Sequence, residues 1–560
     1  MITLAHLAKD VPPAELAAGV LGAAIGFAQP LVVGMFVLVQ ALLLMYAAHR
    51  YVTLWRWSRR RGPGEPSRRL SDSELPHVTI QLPLYNERLV AERVIDAVAA
   101  MDYPPARLQI QVLDDSTDET YPIAAAASDR QRTRGIDIEV LHRECRDGYK
   151  AGALAAGLIR ARGVIIFIFD ADFVPDRDFV RRIVPSFSDP SIGMAQARWG
   201  HLNRNRSLLT AAQAAMLDAH FLLEHEARMS AGLFFNFNGT AGAWRRECIE
   251  SAGGWTHDTL TEDLDLSYRA QLKGWRFVSV PYVVAPAELP VGIEALKSQQ
   301  RRWAKGSIQT ARKLLPALFR SPQPLRVKVE AFFHLTSNFA YPLLLLSGLL
   351  LLPVMMSTSS TAPMLSVALD ISVILTGVVP VCAFLAAGQF ATGARGWSIL
   401  RDVVAVLILG AGLSVNNARA VFEGLGARLG DWERTPKTGD GGRTVKLGQY
   451  AAGRSGNSWL EIGLALYFAW LTGLAWHEGH ARSMPFLLLL LVGLGYVGAG
   501  SVRGRLVAVR RASSDAANAV LAVTRGAFPT TASRSPVRTP PSLSARLVQH
   551  MDDEIGSGPR

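Results

Sequence analysis

Cysteine is nearly absent: Cys145, Cys248 and Cys382 are the only three in 560 residues, and they lie far apart. That spacing excludes a disulfide framework and a cysteine-based zinc site, and it suits a reducing compartment. Charged residues are only 19% of the chain, yet Lys and Arg outnumber Asp and Glu 59 to 47, a formal charge of +12. A basic excess points toward nucleic acid, but no helix-turn-helix, zinc-finger or RNA-binding signature accompanies it, so nucleic acid is set aside as a partner. Residues 1–29 lack a basic leader and a cleavage site, and no secretory signal is read there. No repeat period is present.

Apolar sequence is what the chain has in excess. Hydrophobic residues reach 49% and the mean hydropathy is +0.18. The excess is gathered into a few long runs, the pattern of a multi-pass membrane protein with a soluble domain. Residues 31–49 are nearly uncharged and long enough to span a bilayer. Arg50, Arg56, Arg59, Arg60, Arg61, Arg68 and Arg69 follow, so the chain is expected to enter the cytoplasm there. Further spans are expected at 331–354, 365–387, 399–419, 460–476 and 485–501. Their parity conflicts with the charge rule, because three spans would carry Arg428, Arg434, Lys437, Arg443, Lys446 and Arg454 outside. Either 399–419, with its polar Asn416 and Asn417 end, is re-entrant or interfacial, or one span is misjudged.

The expected organisation has five parts. Residues 1–74 hold the first span and a basic linker, and 75–292 form the soluble domain. Residues 293–324 are amphipathic interfacial helices; 325–502 are a membrane region with a cytoplasmic loop near 421–458. Residues 503–560, rich in Ser, Pro, Ala and Arg, read as a disordered basic tail.

Within the soluble domain, strands and helices alternate, which predicts an α/β fold with a mostly parallel sheet. Its centre is the stretch from Gly163 to Asp176, GVIIFIFDADFVPD. The apolar run Val164 to Phe169 reads as a buried strand, and it stops at Asp170-Ala171-Asp172. Ligands bind at the carboxyl ends of strands in open α/β sheets, and paired carboxylates there suit a divalent ion carrying a phosphorylated ligand. The same spacing recurs at Asp176/Asp178 and Asp263/Asp265, so the pair alone is equally a solvated loop. Two more predicted strands end in polar residues: 77–82 before Tyr85, Asn86 and Glu87, and 108–113 before Asp114 and Asp115. Three such ends in successive units suggest one crevice.

The second half adds four features. His220, Glu224, His225 and Glu226 sit in a helical stretch whose spacing matches neither H-E-x-x-H nor H-x-x-E-H, so a packed helix is favoured over a metal site. Residues 234–242 form an aromatic and small-residue loop. Thr261-Glu262-Asp263 opens a helix, with Thr261 as its N-cap and acids facing the helix dipole, a reading compatible with catalysis. Gln299-Gln300-Arg301-Arg302-Trp303 lies in the basic amphipathic stretch 293–315, by itself an interfacial helix against a lipid bilayer.

The ordered set L-D-D, D-A-D, T-E-D and Q-Q-R-R-W resembles the processive family 2 glycosyltransferases, among them cellulose, hyaluronan and chitin synthases. The wording is most similar to the cellulose-synthase-like A and C enzymes, the mannan, glucomannan and β-glucan synthases, and their bacterial relatives. The similarity is strong over residues 78–320 and includes GYKAGAL at 148–154 and FNGTAG at 237–242. Arg434-Thr435-Pro436-Lys437 is similar to a loop in the bacterial relatives.

The resemblance implies a GT-A fold and a role for each matching residue. Tyr85, Glu87, Asp114 and Asp115 would hold the nucleoside of a sugar nucleotide, and Lys150 would contact nucleotide or phosphate. Asp170 and Asp172 would engage the diphosphate through Mg²⁺ or Mn²⁺, and Asp263 would be the general base. Gln299, Arg302 and Trp303 would close the site, Arg302 near the diphosphate and Trp303 under the acceptor sugar. Asn238, Gly239 and Thr240 stand where cellulose synthases carry a Cys-containing acceptor loop, a departure shared with the mannan-synthase-like subgroup.

The implied activity is inverting polymerisation of hexose from GDP-mannose or UDP-glucose into a β-1,4-glycan, by an enzyme of the plasma (inner) membrane whose catalytic domain is cytoplasmic. The competing readings are transfer of single sugars to a lipid and a non-catalytic transporter or scaffold. Intact Asp170, Asp172, Asp263 and Arg302 weigh against the last.

Overall fold

A computed structural model describes residues 13–60, 70–358, 363–426, 437, 439 and 458–524. Two compact units divide the chain, Met1–Arg505 and Leu506–Arg560. Of the second, the described part is the end of a helix that runs over Met484–Thr524, past the point where the sequence reading placed a disordered tail. The remainder of that tail lies outside the described residues, as does most of the loop near 421–458.

Among the described residues of the first unit, seven strands make one sheet: β1 (Val78–Leu84), β2 (Leu108–Asp114), β3 (Ile138–His142), β4 (Ile165–Ile168), β5 (Ile192–His201), β6 (Gly242–Arg245) and β7 (Arg276–Ala287). Their order is β3-β2-β1-β4-β6-β5-β7. β1 pairs in parallel with β2 and β4, and β2 with β3, while β6 runs antiparallel between β4 and β5. This is the GT-A-like mixed sheet that the resemblance implied.

Alternation along β1 sets the faces. Val78, Ile80, Leu82 and Leu84 enter the main core, while Thr79 and Gln81 point the other way. Those two polar side chains are buried and donate across the ladder: Thr79 Oγ1 to Gln109 Oε1 at 2.8 Å, and Gln81 Nε2 to Gln111 Oε1 at 3.1 Å. The parallel pairing brings the carboxyl ends of β1, β2 and β4 to one edge, so the residues after each strand face a common space.

Among the described residues, five helices are long and apolar enough to cross a membrane: Pro30–Ser58, Leu325–Met356, Ile374–Ala391, Ser458–His477 and Ala481–Leu506. The expected span at 399–419 is instead broken. Trp397–Gly412 and Ser414–Leu425 meet at 53°. At the break, Gly412 lies against the backbone of the last helix; a Cβ there would stand 2.3 Å from the Gly493 carbonyl oxygen. The Ser414–Leu425 half then packs along the helix Ile293–Arg320, which carries the Q-Q-R-R-W sequence.

Candidate active site

One cleft of about 1290 Å³, its open mouth included, is lined by Tyr85, Glu87, Asp115, Lys150, Asp170 and Asp172 from the strand ends. Asn238, Gly239, Glu262 and Asp263 form a second wall, and Gln299, Arg302, Trp303 and Lys437 a third. Four separate sequence motifs therefore converge on one space.

The strand ends build its first wall. Arg143, just beyond β3, forks onto Asp115, Nε to Oδ1 at 2.7 Å and Nη2 to Oδ2 at 2.6 Å. The Arg146 guanidinium lies 3.3 Å from the centroid of the Tyr85 ring, and burial lowers its pKa. Asp114 does not line the cleft, contrary to expectation. It is fully buried and holds His142 Nδ1 at 2.7 Å, because consecutive strand residues point to opposite faces and only Asp115 can face the cleft.

At the end of β4 both aspartates meet lysines. Lys150 Nζ donates to Asp170 Oδ1 at 2.6 Å and to the Gly239 carbonyl at 2.8 Å, joining the D-A-D turn to the 234–242 loop. Lys437 Nζ is 2.5 Å from Asp172 Oδ1. Burial pushes the Asp172 carboxyl up, Lys437 opposes that rise and Asp170 adds to it. Burial would depress the Lys150 ammonium, but Asp170, Glu262 and Asp263 outweigh it and hold its pKa above the usual value. Thr240 does not line the cleft either. It is fully buried, and its hydroxyl accepts the Asp170 N–H at 2.8 Å, so its part is to fix the turn.

The helix Glu262–Leu272 brings the third acid. Thr261 occupies the N-cap position, but its side chain caps nothing. Its hydroxyl instead lies 3.3 Å from that of Thr310, tying the helix start to Ile293–Arg320. Burial and the neighbouring Glu262 raise the Asp263 carboxyl to about 7, against the pull of Lys150. Asp265, the second acid of that D-x-D, is fully buried and held by Arg269 at 2.6 Å and Lys313 at 2.8 Å, so it serves structure.

Gln299, Arg302 and Trp303 fall at i, i+3 and i+4 of one helix, hence on one face, and that face meets the cleft. Arg301 points away and pairs with Glu423 at 2.8 Å. Arg143 and Arg146 were not anticipated from sequence, and Glu262 was read only as part of the T-E-D helix start. The basic residues three apart around Cys145, just after a predicted strand, were the signal available. Among the described residues, no group of three or more His, Cys, Asp or Glu is placed to hold a metal ion alone.

Residues 76–306 match the family model described as glycosyltransferase like family 2. Glucomannan 4-beta-mannosyltransferase 1 of Oryza sativa subsp. japonica is 42% identical over 277 residues, 48% of this chain and 52% of that protein. The chain thus spans about half the length of that relative. A second rice relative, probable glucomannan 4-beta-mannosyltransferase 9, is 32% identical over 452 residues, 76% of this chain and 83% of its own length. A solved mannosyltransferase from Pyrobaculum calidifontis, in complex with GDP-Man and Mn²⁺, is 22% identical with a TM-score of 0.43, covering 69% of this chain and 99% of that one. On the length and identity of these sequence matches, the chain belongs to glycosyltransferase family 2, with relatives named as glucomannan 4-beta-mannosyltransferases.

Proposed function

We propose that this chain is an inverting, membrane-embedded β-glycosyltransferase that builds a β-1,4-linked mannan or glucomannan from a sugar nucleotide. The observation that carries the reading is the convergence of Asp172, Asp263 and Trp303 on one cleft. The names of the relatives support mannose as the transferred sugar.

Each step has a residue. The nucleoside lies along Tyr85, Glu87 and Asp115, with Arg146 over the tyrosine ring. Asp170 and Asp172 fit a divalent ion that arrives with its diphosphate, since each carboxylate already draws a cation and, among the described residues, no third protein acid completes a site. When bound, Mg²⁺ or Mn²⁺ would neutralise charge on the departing diphosphate. Arg302 adds positive charge to that departing group. The acceptor hydroxyl attacks the anomeric carbon opposite the C1–O bond to phosphate; that bond breaks with its electron pair, and Asp263 takes the hydroxyl proton. Such a base contributes about 10²–10⁴-fold. Attack from the opposite face converts an α-linked donor to a β-linkage. Trp303 gives the acceptor pyranose a flat apolar surface, and Asn238 and Gly239 border it.

The membrane reading follows from Lys437. Its contact with Asp172 puts this residue, which follows the broken helix pair in the chain, on the cleft side. Two crossings between the sheet and Lys437, with the broken pair turning back, satisfy this contact and the basic residues around it. The cleft then faces the cytoplasm across the inner (plasma) membrane.

The test is a donor panel on the purified full chain. GDP-mannose or UDP-glucose should release nucleotide in a metal-dependent way, with a product cut by β-1,4-specific hydrolases. No nucleotide release from either donor would refute the proposal.

A further inference from the structure

Between the helices Leu208–Ala219 and Glu226–Ser230 the chain widens into a π turn, His220–His225. Such single turns cluster at functional sites, because the extra residue re-aims a side chain. Here the re-aimed side chain is His220. Its Nδ1 lies 2.9 Å from Glu224 Oε2, and its Nε2 lies 3.0 Å from Asn238 Nδ2.

The tautomer follows from the partners. Burial alone would raise the Glu224 carboxyl, but Arg228, His220 and Arg50 outweigh it and hold it well below the usual carboxylate range. Glu224 Oε2 accepts from Nδ1, and the Asn238 amide nitrogen carries only hydrogens, so in this contact Nε2 is the acceptor. It takes a hydrogen from the Asn238 amide, which fixes the direction of the amide. Glu224 is steadied in turn by Arg228 at 3.5 Å, whose Nε donates to Glu330 at 3.0 Å. The imidazole is thus held from behind by an ionic network.

Asn238 borders the cleft one residue before Gly239, where a Cβ would stand 3.1 Å from Asp263 Oδ2. The Asn238 N–H is bound to Gln196 Oε1 at 2.8 Å and Nδ2 to His220. Asn238 Oδ1 is buried and has no hydrogen-bond partner. A buried acceptor left without a donor is costly, so a group that satisfies it binds with advantage. A hydroxyl of the glycan acceptor, seated beside Asp263, is such a group.

We propose that His220 is a positioning residue for the acceptor: it orients the Asn238 amide so that the amide oxygen receives a sugar hydroxyl next to the base. This rests on the glycosyltransferase reading above. The imidazole itself does not line the cleft.

The test compares His220→Leu with His220→Gln in the full chain, using GDP-mannose and UDP-glucose. Gln can accept the Asn238 hydrogen through Oε1 and Leu cannot. Two quantities are read: total nucleotide release, and the share of released nucleotide matched by sugar in polymer. His220→Leu should keep the donor KM while the coupled share falls about tenfold, the loss expected for one oriented hydrogen bond. His220→Gln should restore coupling. Equal coupling in wild type and His220→Leu would overturn the inference. Loss of nucleotide release in both variants would also overturn it, in favour of a purely structural histidine. No release from wild type would instead bring down the glycosyltransferase reading beneath it.

Discussion

The Lys437 ammonium lies 2.5 Å from Asp172 Oδ1, inside the cleft that also holds Asp170 and Asp263. A lysine there competes with a divalent ion for the same carboxylate charge. Lys437→Met should therefore bind Mn²⁺ more tightly than wild type in the absence of nucleotide, read by the paramagnetic signal of free Mn²⁺. Equal affinity in the two proteins would show that the pair does not compete with the ion.

The pH dependence of transfer follows from Asp263. Its folded pKa is raised to about 7 by burial and Glu262, so the base form is lost as pH falls below that value. Nucleotide release coupled to polymer should rise with pH through about 7 and then level off. Stability runs the other way, because a carboxyl whose folded pKa is raised favours the fold below its unfolded pKa and loses that favour as pH rises through the folded one. Asp263→Asn should reduce coupled transfer by about 10²–10⁴-fold, keep donor binding, and raise the Tm above pH 7 but not near pH 4.

Arg143 and Asp115 test the nucleoside end. Asp115 is 5% exposed, and Arg143 donates to both of its carboxylate oxygens. Removing one partner of a buried pair costs about 3–5 kcal/mol because the other charge is stranded. Arg143→Met should lower the Tm and raise the donor KM. Adding Asp115→Leu should recover the Tm but not the KM, which separates folding from nucleoside recognition. Recovery of both would remove Asp115 from the binding site.

What could be read in the sequence, and what could not, follows from the range of the interaction. β1, β2 and β4 were legible because each is a short buried strand (β4 all apolar, β1 and β2 alternating apolar with Thr or Gln) that stops at acids or a polar turn, a signal contained in a few residues. The antiparallel β6 between β4 and β5 was not, since its pairing joins residues far apart in the chain. Asp114 and Asp115 were assigned together because the turning point of the strand decides which one faces the cleft, and one residue of phase reverses the answer. Thr240 read as an acceptor contact because nothing nearby reveals that its hydroxyl is taken by the Asp170 N–H. The apolar run at 399–419 looked continuous, but its bend depends on the last helix, some 80 residues on, where Gly493 meets Gly412. The π turn is equally silent, because His220–His225 has ordinary helical composition.

Gly239 offers the sharpest probe of the base. Its φ is +78°, a left-handed conformation that costs a side chain about 1–2 kcal/mol. A Cβ there would lie 3.1 Å from Asp263 Oδ2 and 3.4 Å from Lys150 Nζ. Gly239→Ala thus adds a methyl group against the carboxylate and crowds the lysine that moderates it. Both changes disfavour the charged form, the first by excluding solvent and the second by weakening an attraction, so the base pKa rises. The rising limb of the pH profile should move to higher pH in Gly239→Ala, with maximal coupled transfer reduced more than about tenfold, the scale of a misplaced catalytic group. Donor KM should change little, because the atoms nearest the new Cβ belong to Asp263 and Lys150 and not to Tyr85 or Asp115. A variant whose rate falls equally at every pH would place the effect in backbone strain alone and leave the carboxylate untouched.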